Sequence, residues 1–264
     1  MDDRPIGVFD SGLGGLTVLR ALIDLLPTEG VVYFGDTGRF PYGPKPRDEV
    51  LAHALEITDV LLARDVKALV VACNSAAAAA LDTLRERLDI PVVGVIEPGL
   101  RAAARVTRSG RIGVIGTVGT IASGAYQQLA TDDVDVTCAA CPGFVEFVEA
   151  GDVDSDQVHV LAERLLAPVR EAEVDTLVLG CTHYPLLART IGDVMGRDVV
   201  LVSSADETAF AVRDLLTEQG MLSAGAPSDP GHVFFTSGPV DTFRTLGVRF
   251  LGPEVAAVEP WQWG

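Results

Sequence analysis

Two cysteines, Cys73 and Cys181, stand in matched contexts. Leu69-Val70-Val71-Ala72 runs into the first and Leu177-Val178-Leu179-Gly180 into the second, and a small polar residue, Asn74 or Thr182, follows each. A free thiol has a pKa of about 8.5, so a modest reduction makes it an effective base or acid near neutrality. A helix N-terminus favours an anion and supplies such a reduction. Both cysteines are expected at the end of a buried strand just before a helix. Cysteine alone is equally well a buried small hydrophobe; a matched pair with polar flanks points to function. Two thiols on opposite sides of one carbon could invert it, one thiolate removing the α-proton while the other thiol protonates the far face. Asp10 ends another apolar run, where it serves as a helix cap or a site group, and His183 lies two residues after Cys181, which favours a role over a purely structural histidine.

The elements that must hold these groups alternate along the first half. Strands are expected at Pro5 to Asp10, Gly30 to Gly35, Ala68 to Ala72 and Pro91 to Ile96, with helices at Leu16 to Leu26, Asp48 to Arg64 and Ser75 to Leu88, the last opening on a run of alanine, the best helix former. Continuous apolar strands between amphipathic helices indicate buried, mainly parallel sheets. The second half repeats the plan. Ile6 to Phe9 matches Ile112 to Ile115, Leu69 to Asn74 matches Leu177 to Thr182, and Pro91 to Val93 matches Asp198 to Val200, at offsets of 106, 108 and 107 residues. The fold class expected is α/β: two similar, pseudo-symmetric three-layer α/β domains with the active site in the cleft between them, since such sheets bind ligands at their carboxyl edges. The first domain spans residues 1–97 and is completed by the tail, 208–264; the second spans 98–207. The tail, with a strand at His232 to Thr236 and a short helix near Asp241 to Leu246, is too short to fold alone.

At these residues the chain resembles the glutamate racemases of the aspartate/glutamate racemase superfamily. The resemblance rests on Ile6-Gly-Val-Phe-Asp-Ser-Gly-Leu-Gly-Gly-Leu-Thr-Val18, on Tyr33-Phe-Gly-Asp-Thr37 with Pro41-Tyr42-Gly43, on Ala72-Cys-Asn-Ser-Ala76 and on Gly180-Cys-Thr-His-Tyr-Pro185. It covers almost the whole chain. It implies a cofactor-independent isomerase that interconverts L- and D-glutamate, supplies D-glutamate for peptidoglycan and commonly works as a homodimer. By position, Cys73 and Cys181 resemble the catalytic pair, Cys73 deprotonating D-glutamate and Cys181 L-glutamate, with Asp10 and His183 assisting. Ser11, Tyr42, Gly43, Asn74, Ser75 and Thr182 match positions that hold the substrate's carboxylates and ammonium; Thr117 and Thr120 match further polar positions. Glu149 matches an acidic position near the site, though with Glu146 it reads equally as a solvated helical face. Ser75 stands where the family usually has Thr, and Arg39-Phe40 where smaller or aliphatic residues are usual.

Composition narrows the alternatives. The formal net charge of -17 gives no support for nucleic-acid binding, which needs clustered Lys and Arg. The N-terminus is charged, with no apolar signal region, and no apolar run is long enough to span a bilayer; a soluble cytoplasmic protein is expected. Gly12, Gly14 and Gly15 lack dinucleotide-loop spacing. Cys138 and Cys141 have no second pair and no histidine partners, and read as a strand end and turn, so no metal is assigned. A pyridoxal phosphate racemase needs a Schiff-base lysine; the chain has only Lys45, between prolines, and Lys67, before a strand, neither placed like a buried cofactor lysine, so no cofactor is expected. The rival readings are an aspartate or other acidic amino-acid racemase and, in a different class, a regulatory binding protein that retains the cleft. DNA gyrase association is known in the family, but nothing in this sequence points to it.

Overall fold

Short apolar runs rich in Val, Leu and Ile form strands whose flanking helices bury both faces. The structure is a computed structural model that describes residues 1–224, 231–255 and 257–264. In chain order it contains β1 (Ile6–Asp10), α1 (Leu16–Leu25), β2 (Val31–Gly35), α2 (Arg47–Leu62), β3 (Ala68–Val71), α3 (Asn74–Arg87), β4 (Val92–Gly94) and α4 (Ile96–Val106). There follow β5 (Arg111–Gly116), α5 (Val118–Ala122), α6 (Ala125–Gln128), β6 (Asp135–Ala140), α7 (Phe144–Ala150), α8 (Asp156–Leu165), α9 (Ala167–Glu171) and β7 (Thr176–Gly180). A 3₁₀ turn (Tyr184–Leu187), α10 (Ala188–Met195), β8 (Val200–Ser203), α11 (Ser204–Glu218), β9 (Val233–Thr236), α12 (Val240–Phe250) and β10 (Val258–Pro260) complete the order.

Two parallel sheets result: β10-β9-β2-β1-β3-β4 and β6-β5-β7-β8. Every residue of β1, β2, β3 and β7 is buried, so both faces of each sheet's centre are covered. The order β2-β1-β3-β4 is reproduced as β6-β5-β7-β8. Register agrees at the centre: Ile6 pairs with Ala68 as Ile112 pairs with Thr176. It corrects the third sequence match. Leu69 pairs with Val92, whereas the equivalent Leu177 pairs with Leu201, so Val92 corresponds to Leu201 and not to Val199. A slip of two keeps every side chain on its own face, which is why the apolar pattern could not detect it.

The tail strands β9 and β10 extend the first sheet beyond β2, and α11 packs on α1 and on α4. The expected short helix near Asp241 to Leu246 extends to Phe250. Lys67 departs from expectation too: it is fully buried, its Nζ 2.5 Å from Glu29 Oε2 and donating to the Asp2 and Met221 carbonyls. It sits before β3, at the opposite strand end from Cys73. No helix among the described residues is long and apolar enough to cross a membrane.

Candidate active site

The carboxyl ends of β1, β3 and β7 carry three of the candidate residues. Asp10 is the last residue of β1, Cys73 follows β3 and Cys181 follows β7. Cys73 is extended (φ -138°, ψ 120°) and is the N-cap residue of α3, as expected. Cys181 is not followed by an α-helix: Thr182 and His183 turn into the 3₁₀ segment, in which Pro185 has no N–H to donate, and α10 begins only at Ala188. The sequence symmetry therefore holds for the strands and not for the local field at the two sulfurs.

Both thiols line one cavity of about 100 Å³. Asp10, Ser11, Tyr42, Gly43, Asn74, Ser75, Thr117, Thr182 and His183 line it as well. Thr120 stands behind this wall, bonded to the Ser75 and Thr117 hydroxyls at 3.3 and 2.9 Å. Ser75 and Thr117 lie 2.9 Å apart, and the Gly119 amide donates to the Gly43 carbonyl at 2.8 Å, so these contacts join the two halves beside the cavity. Glu149 is also outside the lining, but its Oε1 is 3.2 Å from His183 Nε2; Glu146 lines the cavity rather than facing only solvent.

The two sulfurs have different partners. The Cys73 thiol donates to Ser11 Oγ at 3.6 Å. Cys181 Sγ lies 3.9 Å from His183 Nδ1, which makes a relay Cys181–His183–Glu149. His183 is held between Phe40 and Phe250, at ring-centroid distances of 6.1 and 5.6 Å. Glycine is required at position 14, where an added Cβ would collide with Thr182 Oγ1 and His183 Nδ1. Asp10 Oδ2 accepts the Gly12 amide at 3.0 Å, while Asp10 Oδ1 and Asn74 Oδ1 are buried with no donor in hydrogen-bonding geometry among the described residues.

Electrostatics separates the sulfurs further. Burial, reinforced by the Asp10 carboxyl, pushes the Cys73 thiol far above its usual range and outweighs the Ala76 and Ser11 contacts that favour the thiolate. The expectation that a helix N-terminus brings this thiol near neutrality is thus corrected for the free protein: desolvation wins. Burial also raises Asp10, against the pull of His183 and the Gly15 and Gly12 amides. For His183, burial disfavours the imidazolium, but the Cys181 and Glu149 contacts and the Asp10 charge more than offset it, and the pKa rises to about 10.

Several site residues escaped the sequence reading. Cys141, Tyr184 and Val145 line the cavity, and Phe250 reaches His183 from the far end of the chain. Asp36, fully buried, accepts from the Tyr42 hydroxyl and from Arg39 Nε at 2.7 Å. The turn Asp36-Thr-Gly signals only a loop; nothing local shows what meets it.

The sequence matches the Asp/Glu/hydantoin racemase family over residues 6–212. Glutamate racemase from Mycobacterium leprae is 55% identical over 258 residues, covering 97% of this chain and 95% of that protein. Among solved structures, glutamate racemase isoform RacE1 from Bacillus anthracis superposes with a TM-score of 0.92 at 43% identity, over 100% of this chain and 98% of that one. The Francisella tularensis glutamate racemase in complex with D-glutamate gives 0.92 at 34% identity, covering 99% and 98%. Aspartate racemase from Picrophilus torridus shares the fold, with a TM-score of 0.56 at 17% identity over 82% of this chain and 94% of that one.

Proposed function

Because the chain belongs to the Asp/Glu/hydantoin racemase family, we propose that it interconverts L- and D-glutamate by two-base proton transfer, with no cofactor. The observation that carries the mechanism is a single cavity lined by Cys73 from one sheet and Cys181 from the other. Glutamate, rather than aspartate, is supported by likeness to glutamate racemases at 55% and 43% identity over nearly the full chain.

The substrate brings one ammonium and two carboxylates. Asp10 Oδ1 and Asn74 Oδ1 are buried acceptors with no donor in hydrogen-bonding geometry among the described residues, which an ammonium satisfies. The hydroxyls of Ser11, Ser75, Thr117 and Thr182 and the loop at Tyr42 and Gly43 offer donors to the carboxylates; among the described residues no Lys or Arg lines the cavity. Both thiols are buried in the cavity wall, where they face a substrate rather than bulk solvent.

Burial keeps Cys73 the protonated sulfur in the free protein, and His183 Nδ1, 3.9 Å from Cys181 Sγ, stands within reach of the proton on that second sulfur. From this state L-glutamate reacts: the Cys181 thiolate removes the α-proton and the Cys73 thiol protonates the opposite face. The product leaves with Cys73 as thiolate and Cys181 as thiol, the state from which D-glutamate reacts. Asp10 and His183 hold these alternating charges, and Glu149 orients His183. The remaining parts of the proposal are a cytoplasmic homodimer, to be checked by sedimentation and cell fractionation, and use of the D-glutamate in peptidoglycan.

The test is a circular dichroism assay on purified, EDTA-treated protein with each enantiomer of glutamate and aspartate. Both glutamates should converge on the racemate while aspartate stays unchanged. Racemisation of aspartate at a comparable rate would move the assignment to a broader acidic amino-acid racemase. Loss of racemisation on chelation would overturn the cofactor-free mechanism, and no racemisation in untreated protein would leave a binding role.

A further inference from the structure

The proposed glutamate site takes Tyr42 and Gly43 from the loop after β2, and that loop is fastened by the extreme C-terminus. Asp36 opens it. Both Asp36 carboxylate oxygens are saturated: Oδ2 by the Tyr42 hydroxyl and by Arg39 Nε at 2.7 Å, Oδ1 by Ser237 Oγ at 2.6 Å and by Trp263 Nε1 at 3.1 Å. Arg39 adds a second tie, its guanidinium 3.8 Å from the Trp263 ring centroid. The Trp263 ring packs on Phe34 and Trp261 at 5.4 and 6.1 Å, so its N–H has a fixed direction. Thus Trp263, the penultimate residue of the sequence, contacts both the carboxylate that orients Tyr42 and the arginine that shares it.

A fully buried carboxylate needs every donor it has. If Trp263 withdraws its N–H, Asp36 must rotate toward another donor or admit water, and either change releases the Tyr42 hydroxyl. Tyr42 lines the substrate cavity while Trp263 does not. From this geometry we infer that Trp263 is a positioning residue for substrate binding, acting through Asp36 on Tyr42, so that the C-terminal tail sets affinity for glutamate. The inference rests on the glutamate racemase reading of this cavity.

Tyr42 lines the substrate cavity and its hydroxyl bonds Asp36, while the sulfurs bond Ser11 and His183, so its misplacement weakens uniform binding and appears in KM rather than kcat. The test is Trp263→Phe, which removes the N–H donor and the pyrrole ring but leaves an aromatic ring to pack on Phe34 and Trp261. KM for both glutamate enantiomers should rise about three- to tenfold, with kcat within about twofold of wild type. In a Tyr42→Phe background the same substitution should add little, because coupled residues are not additive. Trp263→Ala, which also removes the Arg39 stack, should raise KM further. Unchanged KM in Trp263→Phe, a fall in kcat with KM fixed, or full additivity with Tyr42→Phe would overturn the inference. A lowered Tm with unaltered KM would show that the tail serves stability alone. Wild-type protein that fails to racemise glutamate would refute the functional reading instead, and that control is run first.

Discussion

Substituting Gly14 by alanine tests how tightly the first turn of the N-terminal half is fitted against the Cys181 side. The new Cβ would lie 2.6 Å from His183 Cε1, with Thr182 Oγ1 and His183 Nδ1 nearer still. Carbon contacts settle at about 3.5–4.0 Å, so the Thr182–His183 turn or the glycine loop must move by about 1 Å. A misplacement of about 1 Å at catalytic groups costs on the order of 100-fold in rate. Overpacking itself costs about 1–3 kcal/mol, and a chain of this size loses roughly 2–4 °C of Tm per kcal/mol. Gly14→Ala should therefore remain folded at 25 °C and racemise both enantiomers about 100-fold more slowly in kcat. The control is Gly192→Ala, whose Cβ would meet only Leu201 Cδ1 at 3.7 Å and should be harmless. Circular dichroism gives the rates and thermal melts the folding. A folded Gly14→Ala protein working near the wild-type rate would refute the claim that the Thr182–His183 turn must stay where it is.

The other expectations concern charge. Glu149→Gln removes one contribution that holds His183 near a pKa of about 10, so the imidazolium should lose its proton at lower pH and the alkaline limb of kcat/KM should move toward neutrality; an unmoved limb would exclude the relay. His183 binds its proton more tightly folded, about 10, than unfolded, 6.5, so its stabilisation is complete below 6.5 and lost as pH rises through about 10; the Tm gap between wild type and His183→Asn should close over that window. Lys67→Met leaves Glu29 buried and unpaired and should cost about 3–5 kcal/mol in urea unfolding. Lys67→Met with Glu29→Gln should cost much less, and kcat should be spared in the double variant because the pair lies at the far strand end.

What the sequence made legible was what depends on short-range pattern. Apolar runs mark the strands, and the places of Cys73 and Cys181 after β3 and β7 are legible because each closes such a run at the carboxyl edge of a parallel sheet. The third repeat match slipped by two residues because Val199 and Leu201 share a face. The turn after Cys181 was misread because Pro185 tolerates either a 3₁₀ or an α start. The thiol environment of Cys73 was misjudged since desolvation depends on what the other half of the molecule covers, as does the burial of Lys67. The meaning of Asp36, Phe250 and Trp263 lies in contacts between residues far apart in the chain, Asp36 with Trp263 and His183 with Phe250, which no local pattern encodes.

Steady-state rates cannot assign the two cysteines. Enantiomers are equally stable in achiral solvent, so any variant must lose kcat/KM by the same factor in both directions. An irreversible reaction removes that constraint. Elimination of HCl from 3-chloroglutamate requires only abstraction of the α-proton from the correct face and loss of chloride from the neighbouring carbon. Single replacement of Cys73 or Cys181 by Ser should slow racemisation by at least ~100-fold, the lower end for a positioned acid–base group. If the two thiols act from opposite faces, Cys73→Ser retains elimination from the L-form and loses it from the D-form, and Cys181→Ser does the reverse. Loss of the same enantiomer in both variants, or near wild-type racemisation by either, would contradict two-base catalysis by Cys73 and Cys181.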